Sequence, residues 1–458
     1  SGLGGTDHCK RRVVGGISLE FFNRLGKHYG KSPQWRFEPH VALSTFKEMI
    51  SEANVSIFLD SPLQDLSVED KRIRSVRTTS GQVYTAKVFI DATYEGDLLA
   101  LSGTSFTIGR ESAQTYGESL AGVVGFTKPH QFLLPVSAYD DKRAPLPGVS
   151  SEPLNELGSG DHKIGAFNYR LCVTKHPENR IPFPTPLNYD PGSFEVLRRY
   201  LGKRPKTLLS ELFTFLEVPN GKYDLNNRGP FSTDLVGKNW RYPVQSLSER
   251  RELDNLHREY TLSLLYFLLN DPGVPSSIKR DLKQFGLCKD EFQSTQHWPP
   301  QLYVREGRRM IGSYVLQEQD LVRHVKKDDS IGMASCPIES HAVDRQIDEN
   351  GNVMNEGWIM HRIGAYEIPY RSILPKEEEM LNLLVPVAVS ASRIAYSSLR
   401  MEPVFMILGQ SAGVAATMAI DGSVSVQSIE YKKLRRQLVL GGQILGMRLA
   451  NKVAGAAK

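Results

Sequence analysis

Val88-Phe89-Ile90-Asp91-Ala92-Thr93-Tyr94-Glu95-Gly96-Asp97 runs from an apolar strand straight into small and acidic residues. Such a run is the usual build at the C-terminal edge of a sheet that binds a nucleotide. Small residues let a backbone come close, and a carboxylate accepts a ribose hydroxyl. The same run also makes a plain β-turn with capping acids. Taken alone, it leaves both readings open.

Upstream, Ile17 to Tyr29 and His40 to Ala53 carry Phe21, Phe22, Leu25 and then Phe46, Met49, Ile50 at helical spacing. Val55 to Leu59 is a mostly apolar run that predicts a strand. Arg72 to Thr79 and Gln82 to Ala86 flank Ser80-Gly81 and predict a hairpin. Downstream, Lys128 to Asp190 is rich in Pro, Gly and Ser and predicts loops and edge strands. Helices are expected at Phe194 to Leu201 and Leu247 to Leu269. The last strong element is Pro403 to Ile420, with Glu402 before it and Gly422 as its cap. It is long enough to suggest a membrane span. However, Gln410, Ser411 and Thr417 interrupt it and Asp421 ends it. A helix buried in a large α/β domain is expected, with no membrane span.

The chain has 458 residues, 23% of them charged and 40% hydrophobic, an ordinary globular mix. A net charge of +5 over that length gives no reason to expect nucleic acid as a partner. Cys9, Cys172, Cys288 and Cys336 form no CxxC and read as separate thiols. No HExxH, P-loop, GxGxxG or metal-ligand spacing occurs, so no metal is expected.

Four further patterns carry chemistry. Gly409-Gln410-Ser411-Ala412-Gly413 places small residues at i and i+4 inside the last helix. Glycine there costs roughly 1 kcal/mol relative to alanine, so it needs a reason: tight core packing, or a helix end that abuts a cofactor. The same residues spell GxSxG, but a nucleophile elbow needs a strand before the serine, and here a helix already runs. His297 to Arg309 gathers Arg305, Arg308 and Arg309 with His297 and Tyr303. Arginine forks bind carboxylates or form structural ion pairs, and both readings stand. His341 closes Ser335 to His341, and Arg400 with Glu402 marks the mouth of the last helix.

Together these pieces resemble the FAD-dependent oxidoreductases of glutathione-reductase-like fold. The resemblance rests on Gly15-Gly16 with Glu20-Phe21-Phe22, on Phe37 to His40 and on Ile90 to Leu98. It continues through Tyr169 to Cys172, Leu302 to Arg309, Tyr366 to Arg371, Asn382 to Pro386 and Arg400 to Gly413.

The resemblance implies an α/β fold of three layers, with a mainly parallel sheet and a β-meander. The FAD domain would combine residues 1–110 and 375–430. A mixed α+β substrate domain would occupy 111–374, with a helical tail over 431–458. Gly2, Gly4 and Gly5 would lie beside the flavin, and His8 or Cys9 would be the positions for a covalent link. Asp91, Ala92 and Thr93, with Gly96 and Asp97, would line the adenosine half. Arg400, Met401, Glu402, Gly409, Gln410 and Gly413 would approach the isoalloxazine. His341, Arg305 and His297 would be catalytic. Arg170, Tyr303, Arg308, Arg309 and Arg371 would face a small hydroxylated, amine or acidic substrate.

The family's opening βαβ unit with its GxGxxG is absent, roughly 30 to 45 residues by the size of such a unit. The domain is therefore expected to be incomplete at its N-terminus. A fragment, or a short separate chain supplying that unit, accounts for this. The alternative is a flavin-free binding or assembly subunit that uses the arginine-rich surface.

Overall fold

The computed structural model describes residues 10–447 and Ala450, a mixed α/β structure. Two helices come first, Gly16–His28 and Pro39–Glu52, where the spacing predicts them. Phe21, Phe22 and Leu25 are buried on one stripe of the first. Pro39 sits in the first turn of the second, where a missing N–H is harmless. The two helices meet through Phe21 stacked on Phe46, with ring centroids 4.5 Å apart.

The strand predicted over Val55 to Leu59 does not form. The run is exposed, Leu59 by 80%, and is bracketed by Asn54 and Asp60 in the left-handed region. A strand exists only through its ladder, and no described strand offers this run one.

Beyond it, Leu63–Glu69, Arg72–Thr78 and Val83–Thr85 form an antiparallel meander that contains the predicted hairpin. Gly81, at φ +83°, turns the chain between the last two strands. Phe89–Ile90 then pairs in parallel with Leu383–Leu384. Asn382 locks this pairing. Its amide donates to the carbonyls of Ile73 at 2.9 Å and Lys87 at 3.1 Å, and its oxygen accepts the Ile73 N–H at 2.9 Å. Among the described residues the other pairings between named strands are antiparallel, so the expected mainly parallel sheet appears only as this short pair.

The middle of the chain builds a five-stranded antiparallel sheet. Its order is Arg180–Ile181, Gly286–Cys288, Leu171–Thr174, Lys222–Asn227, Phe213–Val218. The helix Leu247–Asn270 shares its core through Leu264, Leu265 and Leu268. Ser246 and Glu249 start that helix as a reciprocal capping box.

A second core surrounds the helix Glu402–Gly422, where Leu408, Ala412 and Ala415 meet Ile331 and Ile368. This helix is long and apolar enough to cross a membrane, yet more than half of its apolar window is buried within the protein. Ser411 is buried mid-helix. Its hydroxyl is 3.0 Å from the carbonyls of Ile407 and Ile331, so it is not on an elbow. Cys336 is disulfide-bonded, which corrects the reading of four separate thiols. Cys172 and Cys288 are free, with sulfurs 3.6 Å apart on neighbouring strands.

Candidate active site

A polar cavity of about 170 Å³ lies where the five-stranded sheet meets the mouth of the helix Glu402–Gly422. Arg170 enters it from just before the strand Leu171–Thr174, and Asn226 and Asn227 from the end of Lys222–Asn227. Tyr303 and Arg305 come from an extended segment tied to the sheet by the Tyr303 N–H on the Asn168 carbonyl, 3.0 Å. Glu339 and His341 flank the end of the strand Ile338–Ser340. Arg400 and Met401 form the link between the helices Arg393–Leu399 and Glu402–Gly422. Arg170, Tyr303, Arg305, His341, Arg400 and Met401 are thus gathered from distant parts of the sequence.

The centre of the wall is a chain of three charged or titratable groups. His341 Nδ1 lies 2.7 Å from Asp234 Oδ2, and Arg305 Nη1 lies 3.1 Å from Asp234 Oδ1. Arg305 also donates to the Ala166 carbonyl at 2.6 Å and to Asn168 Oδ1 at 2.9 Å. Its terminal nitrogens are therefore committed to the protein, and its charge serves Asp234. Burial alone would raise the Asp234 carboxyl, but the Arg305 charge and the hydrogen bond from His341 hold it below the usual carboxylate range. Burial, helped by the Arg305 charge, lowers His341 to about 3 against the pull of Asp234. The imidazole is neutral at pH 7. With Nδ1–H given to the carboxylate, Nε2 keeps its lone pair.

Trp358 is a further wall, with His341 tilted against it at 4.6 Å and His130 stacked on it at 3.8 Å. Arg170 is paired with Asp224 and lies over the Tyr303 ring at 5.2 Å. Arg400 Nη2 donates to the Glu339 carbonyl at 2.9 Å, while its buried Nε has no hydrogen-bond partner among the described residues.

The other expected site residues lie elsewhere. Arg308 donates to Asp97 Oδ1 at 2.6 Å, and Asp97 also pairs with Arg250. Arg309 is fully buried against Glu111, 2.5 Å away. Glu306 grips Arg393 through two bonds of 2.9 and 3.0 Å. Arg305, Arg308 and Arg309 are at most 8% exposed, so this stretch presents no arginine surface to a partner. His297 turns to the Glu291 carbonyl, 3.0 Å away, and Arg371 pairs on the surface with Asp329.

At the opening turn, Asp91 caps its own loop. Oδ1 accepts the Thr93 N–H at 3.1 Å and its hydroxyl at 2.7 Å, and Oδ2 accepts the Leu99 N–H at 2.9 Å. Gly96 is left-handed at φ +67°, and a Cβ there would sit 3.1 Å from Ala388 Cβ. Ala92 and Thr93 are exposed at the turn. Gln410 is occupied as a latch, its oxygen 2.8 Å from the Ile17 N–H. By contrast, a Cβ on Gly409 or Gly413 would meet no described atom within 4 Å. These two glycines leave open space along the helix Glu402–Gly422, about 12 and 18 Å from Met401 by the rise of a helix. The unpartnered Arg400 Nε and the polar wall fit a planar cofactor with an anionic edge. Gly2, Gly4, Gly5, His8 and Cys9 lie outside the described residues.

Sequence reasoning missed Asp234 and Trp358. Asp234 is 107 positions from His341, so no local spacing marks it.

The profile of one protein family, described as FAD dependent oxidoreductase, matches residues 1–438. No curated protein matches the chain, and no solved structure does.

Proposed function

The chain belongs to the FAD-dependent oxidoreductase family, and from that premise we propose that the polar cavity beside Arg400 oxidises a small hydroxylated, amine or acidic substrate. The observation that carries this reading is the neutral His341 held by Asp234 at 2.7 Å in that cavity.

FAD, when bound, supplies the acceptor for a hydride from a substrate C–H bond at its N5. His341 Nε2 accepts the proton of the substrate O–H or N–H on the same carbon. Asp234 fixes the tautomer and stabilises the imidazolium that results. Arg305 keeps Asp234 ionised and in place. Tyr303, Trp358 and His130 wall the cavity and limit the entry of water. Arg400 Nε offers a donor to an anionic edge, and Gly409 and Gly413 admit the ring. The exposed Ala92 and Thr93 would receive the adenosine half.

The same reading takes the fold as glutathione-reductase-like. Residues 1–110 and 375–430 would form its FAD domain, and 111–374 the substrate domain. The pairing of Phe89–Ile90 with Leu383–Leu384 supports it.

The test is to incubate the purified chain with FAD, remove free flavin, and add each substrate class without oxygen. Visible flavin absorbance that bleaches with one class is the expected result. A chain that stays colourless overturns the reading.

A further inference from the structure

A larger cavity lies elsewhere in the middle segment. It encloses about 590 Å³ and shares no lining residue with the polar cavity. Its body is apolar, with Phe194, Phe231, Val236, Leu256 and Tyr260 among its walls. One wall carries a cation. Arg345 is 5% exposed and lies over the Phe231 ring at 4.4 Å.

The hydrogen bonds of Arg345 are to neutral groups. Nε donates to Asn355 Oδ1 at 3.2 Å and Nη2 to the Pro230 carbonyl at 3.4 Å. Nη1 makes no hydrogen bond among the described residues and points toward Gly148 at the cavity wall, where a Cβ would sit 3.6 Å away. No carboxylate pairs with this guanidinium among the described residues. Every other buried arginine that lines a cavity or belongs to the ion-pair stretch is set against an acid or a carbonyl at 3.0 Å or less. Burial disfavours the Arg345 cation, and the nearby Asp344 charge offsets this only in part.

Two acids line the cavity without pairing with Arg345: Glu259, on the helix Leu247–Asn270, and Asp190, before the turn Pro191–Phe194. Glu259 accepts the Leu187 N–H at 2.8 Å, and Asp190 accepts the Gly192 N–H at 2.9 Å and the Ser193 hydroxyl at 2.9 Å. Glu252 is exposed on the helix Leu247–Asn270.

We propose that this cavity is a second small-molecule site, taking an amphipathic carboxylate whose anion meets Arg345 Nη1 and whose apolar body lies against Phe231, Phe194 and Tyr260. The volume suits a drug-sized ligand, and a planar fork beside an aromatic wall suits an aryl carboxylate.

The test uses cinnamate and its neutral amide, cinnamamide, titrated calorimetrically into the full chain. Cinnamate is expected to bind about ten- to a hundredfold more tightly than the amide. Arg345→Met is expected to remove that preference. Leu256→Trp, at an exposed helix position lining the same cavity, is expected to weaken both probes. The second variant keeps the test alive if the first fails to fold. Equal affinities in the wild type, no binding at all, or cinnamate affinity unchanged in either variant would overturn the proposal.

Discussion

Asp234 bridges Arg305 and His341: one carboxylate oxygen lies 3.1 Å from Arg305 Nη1, the other 2.7 Å from His341 Nδ1. On the proposed function Asp234 is a positioning residue, acting on substrate through the imidazole. Asp234→Asn keeps the shape but lets the imidazole take the wrong tautomer. The expected result is a fall of about a hundredfold in anaerobic flavin reduction, with flavin affinity little changed. A purely structural role would shift the melting temperature and leave the rate per bound flavin unchanged.

The pH dependence follows from His341. Its folded value of about 3 lies below the ~6.5 of a free imidazole, so the unfolded chain binds this proton first as pH falls. The neutral ring's contribution is full above the unfolded value and is lost as pH falls from ~6.5 toward the folded value. His257, lowered by burial to about 3, acts in the same direction. Chemical denaturation at pH 7 and pH 4.5 should therefore show a smaller loss of stability in His341→Gln than in the wild type. Flavin reduction should be flat between about pH 5 and 8 where the substrate itself does not titrate. A rate that rises through an apparent value near 6.5 would contradict the assignment.

On the proposed function, substitutions at Gly413 separate folding from cofactor binding. With room for a Cβ at both, Gly413→Ala should stabilise the flavin-free helix by up to about 1 kcal/mol, read as a higher melting temperature. Gly413→Leu should fold equally well and weaken FAD about tenfold or more by fluorescence titration. Unchanged FAD affinity in Gly413→Leu would place the flavin elsewhere.

The arginines should divide by burial. Glu306→Gln leaves Arg393 buried beside a neutral amide and should cost about 3–5 kcal/mol in denaturant titration. Arg371→Ala breaks a surface pair with Asp329, with Arg371 50% exposed, and should cost no more than about 1 kcal/mol. Outside the polar cavity, Arg371→Ala should also leave the rate of flavin reduction unchanged.

Much of this arrangement is legible in the sequence wherever structure is set by neighbours. The helix through Phe21, Phe22 and Leu25, the hairpin around Gly81 and the helix after Glu402 follow from local spacing and caps. Val55 to Leu59 has the composition of a strand but lacks a ladder, which its own residues cannot supply. Arg305, Arg308 and Arg309 look alike in sequence. Only tertiary folding aims Arg305 at the polar cavity and the others at Asp97 and Glu111. The acidic turn at Asp91 kept two meanings, and three bonds from Asp91 to its own loop account for its burial. Trp358, which His130 and His341 both touch, carries no motif at all.

The role of His341 is tested most directly by anaerobic reduction of bound FAD in the wild type and in His341→Gln, with the substrate class that bleaches the wild type. The expected result is equal flavin content and a rate roughly 10²- to 10⁴-fold lower in the variant. Equal rates would contradict proton transfer to His341.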